Sequence, residues 1–167
     1  VLLYNALGAQ LREMAQMLIS KQAIRSHLEY MQGQRQRMQN QIASGDAVGK
    51  SGTHGRPRQT PADIAAGYDC KFAMHLLRLG IQGSELAEFG RVTLPMPEID
   101  RAALLEVRRG EWPLPAVLAM AQALEDRMKK CFDTSQLPEK PNITAVEEWM
   151  QRVYVRMWSA DRRLADV

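Results

Sequence analysis

Apolar side chains return every three or four positions in one stretch after another, and that period dictates a chain of amphipathic helices. Leu7, Leu11, Met14 and Leu18 define a first helix that Ser20 ends or restarts. Ile24, Leu28, Met31, Met38 and Ile42 define a second. Its other faces carry Gln32, Gln34, Arg35, Gln36, Arg37, Gln39 and Gln41, as in a polar helix that projects from the body or covers a partner. A third helix is expected from about residue 61 or 67 to 88, stopped by Gly90, and a fourth over 98–109, ending at Gly110. A fifth has Pro113 and Pro115 in its first turn, with Leu114, Val117, Leu118, Ala121, Leu124 and Met128 facing inward. A last helix over about 142–158 has Asn142 as its N-cap and Ile143, Val146, Met150, Val153 and Met157 on one face. Between them, residues 91–95 alternate like a short edge strand closed by Pro95 and Pro97. Residues 44–60 turn to Gly, Ser, Thr, Pro and basic types with almost nothing to bury, and are expected to be a mobile loop. The expected fold is mainly α: a bundle of about five or six helices with one short β-strand and a long basic Gly/Ser-rich loop.

A chain of 167 residues, 46% hydrophobic, suffices for a single helical domain over 1–167. Lys plus Arg total 22 against 19 Asp plus Glu, so contact with nucleic acid must come from local clustering rather than from a polybasic tail. Cys70 and Cys131 stand far apart, in no metal-ligand spacing, which fits a reducing, cytoplasmic compartment. No apolar run approaches the roughly 20 residues that span a bilayer, so no membrane is expected as a partner. The chain opens with Val1 inside an apolar segment and reads as a fragment of something longer, with residues 1–3 a candidate self-association surface.

The run Gly45-Asp-Ala-Val-Gly49-Lys50-Ser51 imitates a P-loop, but it has three residues between its glycines where the motif has four, and no strand precedes it. There is no HExxH, no Ser/His/Asp arrangement and no close aspartate pair to hold metal ions. More informative is the helix around 68–78. At roughly 100° per residue, Tyr68, Lys71, His75 and Arg78 fall within about 80° of one another, with Gln82 and Glu85 continuing the stripe. Ala73, Leu76, Leu77, Gly80 and Ile81 lie largely opposite, so the helix can anchor while presenting its cations. Such donors grip phosphates, and Lys50, His54, Arg56 and Arg58 of the loop can add charge. The plainer reading is a solvated helix face, with Asp69 pairing Lys71 or a neighbour. Lys21, Arg25, Arg35 and Arg37 read as a solvated face among glutamines. Trp112, Trp149, Tyr154 and Trp158 read as core packing rather than base-stacking platforms, because no basic residues interleave them. The ten methionines read as core filler.

The segment Gly67-Tyr-Asp-Cys-Lys-Phe-Ala-Met-His-Leu-Leu-Arg-Leu-Gly80 resembles the helix that follows the catalytic core in a bacterial and phage family of predicted nucleotidyltransferases of the DNA polymerase beta superfamily. Ser20-Lys21 with Tyr30 and Gln34, Arg56-Pro57, Leu94-Pro-Met-Pro-Glu98, Arg108-Arg-Gly-Glu-Trp112 and the connection over 133–139 extend the resemblance over most of the chain. The resemblance implies Mg²⁺-dependent transfer of a nucleotidyl group from an NTP to a hydroxyl acceptor such as a polynucleotide end. It places the Mg²⁺ carboxylates in an upstream core that this sequence lacks, so the enzyme is the full-length parent and the fragment alone is expected to be inactive. Tyr68, Asp69, Lys71, His75, Arg78 and Arg56 are then candidates for binding nucleotide or acceptor, with no catalytic or metal residue in this chain. Cys70 stands where a small polar residue is expected in relatives. The competing expectation is a non-catalytic RNA-binding or protein-interaction helical module. A dimer formed along the second helix is disfavoured by Arg35, which stands where a heptad wants an apolar residue.

Overall fold

The structure, a computed structural model, describes residues 5–44 and 60–165, with side chains to 159. Seven helices appear among the described residues: α1 (Ala6–Gln16), α2 (Lys21–Ala43), α3 (Pro61–Ala66), α4 (Cys70–Phe89), α5 (Glu98–Arg108), α6 (Leu114–Thr134) and α7 (Ile143–Ala165). None is long and apolar enough to cross a membrane. The expected loop, with Lys50, His54, Arg56 and Arg58, and the apolar residues 1–3 lie outside the described residues.

The expected strand at 91–95 is not formed, and no strand occurs among the described residues. A ladder needs free backbone donors, whereas the Thr93 N–H donates to both carboxylate oxygens of Glu85 at 3.0 Å and the Thr93 hydroxyl donates there too. These hydrogen bonds hold the Glu85 carboxyl below its ordinary value. The alternating sequence is therefore an arm fastened to α4. Where one long helix could run from residue 61 to 88, Gly67 breaks it: its φ of 74° is the left-handed conformation that favours glycine. Thr60 and Asp63 form a capping box on α3. Asp63 also reaches across the break to accept from the Cys70 N–H at 2.8 Å.

The chain divides into two compact units, residues 23–136 and residues 1–22 with 137–167. In the first, α4 buries Cys70, Ala73, Leu76 and Leu77 against Leu104 and Val107 of α5, Val117, Ala121, Leu124 and Met128 of α6, and Met31 and Met38 of α2. Each large side chain removed from water here contributes about 1.5–3 kcal/mol. Gly80 marks a close approach of three helices: a Cβ there would meet Met31 Cε at 2.7 Å and Leu124 Cβ at 2.9 Å. The core also holds a charge, Glu125, fully buried on α6, which accepts from Arg35 Nε at 2.5 Å and Nη2 at 3.1 Å. Arg35, expected on a solvated face, is thus a core tie. Its neighbours in that strip are engaged as well, Lys21 with Glu139 at 2.9 Å and Arg25 over the Phe132 ring at 5.4 Å.

In the second unit, Trp149 of α7 donates its indole N–H to Gln10 of α1 at 3.2 Å. Asn142 caps α7 by accepting from the Ala145 N–H, and its own N–H donates to Met17 O at 2.9 Å. Backbone bonds from Lys21 to Pro138 and from Gln22 to Glu139 close the unit. No residue of α1 is buried. Tyr154 and Trp158, expected in a core, are 53% and 66% exposed and stack on each other with centroids 5.9 Å apart.

Candidate phosphate-binding face and arginine-rimmed cavity

The first turn of α4 orders the candidate residues. Asp69 is the N-cap, its carboxylate accepting from the Phe72 N–H at 2.8 Å, which satisfies a helix-end donor. Tyr68 precedes the cap and so does not follow the helical wheel. It is fully buried, and its hydroxyl donates to the Trp112 carbonyl at 2.7 Å. Burial, with Cys70 and Asp63 close by, pushes its phenol up to about 12, so it stays a neutral donor. Trp112 is fixed in turn by its indole N–H on Glu106 at 2.9 Å. Cys70, in the departing position of the motif, is buried, and burial pushes its thiol up to about 11, far from a reactive thiolate.

Past the cap, Lys71 and Arg78 are exposed and His75 is half-buried between them. Arg78 Nη2 donates to His75 Nδ1 at 3.0 Å, which puts the imidazole proton on Nε2. The Tyr30 ring from α2 meets the His75 ring in a T-shaped contact, 6.3 Å between centroids. Burial first, then Arg78 and Lys71, hold His75 below its ordinary imidazole value. Among the described residues neither Lys71 nor Arg78 has a carboxylate partner. Asp69, spent on the cap, pairs with neither. The structure therefore brings Lys71, His75 and Arg78 together on the outer face of α4, assigns Tyr68 and Asp69 to the joint beneath it, and does not describe Arg56.

Arg78 has a second environment. With Gln82, Arg101 and Arg108 it rims a cavity of about 330 Å³ between α4, α5 and the 91–97 arm, whose floor is Met74, Met96 and Leu104, with the exposed Leu94 and Leu105 at its edge. Arg101 is paired with Glu98, its Nε donating at 3.0 Å. Arg108 has no carboxylate partner among the described residues. Neither Arg101 nor Arg108 was among the candidate site residues of the sequence, where Arg108 figured only in the 108–112 turn. Their spacing of seven on one helix, which puts them on one face, was the available signal.

No group of three or more His, Cys, Asp or Glu side chains that could hold a metal occurs among the described residues. Asp69, at the head of the helix that carries the cationic face, is engaged in capping. These residues do not fit a Mg²⁺ centre, and what they offer is hydrogen-bond donors and positive charge. Comparison of the chain with family models, with curated proteins and with solved structures gives no match.

Proposed function

We propose that this chain is the helical, nucleotide- and acceptor-binding part of a nucleotidyltransferase. In such transfer an acceptor hydroxyl oxygen bonds to the α-phosphorus of an NTP, the bond to the bridging oxygen breaks, and pyrophosphate leaves. Lys71 and Arg78 serve as donors to phosphate oxygens, and His75 orients the Arg78 guanidinium. Tyr68 and Asp69 set the start of the helix that presents them. The ion that the chemistry uses belongs outside the described residues, so these supply binding and orientation alone. The observation that carries the reading is the pair of exposed cations, Lys71 and Arg78, flanking a neutral histidine, with no carboxylate among the described residues to neutralise them.

Calorimetric titration with Mg-ATP and Mg-GTP at moderate salt tests it. Saturable binding should be lost in a Lys71→Ala, Arg78→Ala double variant. Below the ordinary imidazole value of 6.5, protonation of His75 adds a third cation, so affinity should rise as pH falls, and His75→Gln should flatten that rise. A folded wild type that binds neither nucleotide sinks the reading. RNA binding that weakens steeply with salt, without preference for a triphosphate, would move the function to an RNA-binding module. A protein-interaction module is the second reading, favoured by the exposed Tyr154 and Trp158 on α7.

A further inference from the structure

The cavity bounded by α4, α5 and the 91–97 arm combines two properties that seldom coincide on a merely solvated surface. Its floor is made of methionine and leucine side chains, and its rim carries three guanidinium groups, of which Glu98 neutralises one. Apolar lining with a few convergent polar groups is the pattern of a small-molecule site. Its volume of about 330 Å³ lies at the lower end of the roughly 300–1,000 Å³ of such sites, room for one ring or a short chain and too little for a polymer. The position is also distinct from the outer face of α4. Lys71 does not line it and stands seven residues from Arg78, about 10 Å along the helix axis.

We propose that this cavity is a binding site for a small organic anion: a compact apolar body, aromatic or aliphatic, bearing one phosphate or carboxylate head. The body lies on Met74, Met96, Leu104 and Leu105 and the head is held by Arg78 and Arg108. Two forked guanidinium groups can offer such a head paired, charge-assisted hydrogen bonds. Water leaving the apolar floor adds affinity that a bare anion cannot gain. The site shares Arg78 with the phosphate-binding face but does not rest on the nucleotide reading.

The test uses phenyl phosphate, with inorganic phosphate and phenol as the two halves of the probe. Binding is followed by calorimetry and by the methionine methyl NMR signals, those of Met74 and Met96 being identified by Met→Leu substitution. Phenyl phosphate should bind about tenfold or more tighter than either half and shift the Met74 and Met96 signals. An Arg78→Met, Arg108→Met double variant should lose that binding by at least about tenfold. Leu105→Trp, at a position 45% exposed and therefore tolerant of bulk, should fill the space and abolish binding while the protein keeps its helical circular dichroism. Lys71→Ala should leave phenyl phosphate binding unchanged even where it removes Mg-ATP binding, so the two readings fail separately. Equal affinity for inorganic and phenyl phosphate, or undiminished binding in Leu105→Trp, would overturn the proposal.

Discussion

Residues 23–136 and the unit formed by 1–22 with 137–167 are both helical, yet they differ in what holds them. Every buried apolar side chain among the described residues lies between Ile24 and Met128. Among its described residues the other unit buries only Ser20, and it leaves Leu11, Met17, Leu18, Ile143, Met150 and Trp158 in water. Its elements are joined instead by backbone and side-chain hydrogen bonds, Asn142 to Met17, Lys21 to Pro138 and Trp149 to Gln10. Exposed hydrogen bonds of this kind each contribute about 0.5–1.5 kcal/mol net, less than one buried leucine. The comparison teaches that amphipathic period alone does not make a core. It makes one where a second and third helix share the same apolar face.

Four single substitutions and one double change should break or sharpen that contrast. The largest effect is expected from Arg35→Met, which takes from the buried Glu125 its hydrogen-bonded partner, leaving Lys129 at 4.0 Å, and should cost about 3–5 kcal/mol in urea unfolding. The double change Arg35→Met, Glu125→Met should recover most of it, since apolar replacement of a buried pair is often neutral. A loss below about 1 kcal/mol in the single variant would mean that the pair is not a core tie. Gly80→Ala drives a methyl group against Leu124 and Met31 and should cost about 1–3 kcal/mol by the same measurement. Asp63→Asn loosens the α3 cap and the bond to Cys70, at about 1–2 kcal/mol.

That third effect should depend on pH. Burial opposes ionisation of Asp63, but hydrogen bonds from Thr60 and Cys70 outweigh it and hold the carboxyl below its ordinary 3.8. The folded state therefore binds the proton less readily than the unfolded one. The stabilisation is full above 3.8 and fades as pH falls through the lowered value, so wild type and Asp63→Asn should converge only in acid. Convergence at neutral pH would assign the carboxylate no such role. The smallest change belongs to Trp158→Ala, on the thin unit, expected within about 0.5 kcal/mol. A loss of several kcal/mol there would mean that α7 is packed in solution by something other than its own unit.

The helices were legible because their apolar period is a local signal. The Pro and Gly positions at 67, 90, 110, 113 and 115 marked their ends to within a residue or two. What was not legible depended on partners far apart in sequence. Residues 91–95 have strand-like alternation, but Glu85 takes the Thr93 N–H that a ladder would need. Tyr68 was placed on the cationic stripe by a helical wheel that starts two residues too early; Asp69 is the cap, α4 begins at Cys70, and Tyr68 turns inward to Trp112. Arg35 looked solvated because its partner lies 90 residues away on α6. The stripe of Lys71, His75 and Arg78 was readable from spacing, whereas the cavity beside it required α5 and the 91–97 arm to fold back, which no local pattern announces.

The Arg35–Glu125 pair carries one more consequence. The buried apolar residues of α2, Ile24, Met31 and Met38, recur every seven positions, so on hydrophobic grounds the helix could slide two turns either way and still match its neighbours. Such a slide would bring Leu28 or Ile42 opposite Glu125 and leave a carboxylate buried in hydrocarbon. The pair thus acts as a key cut for one alignment: it adds little to the strength of the bundle but makes the shifted alignments costly, as single polar residues do at helical seams.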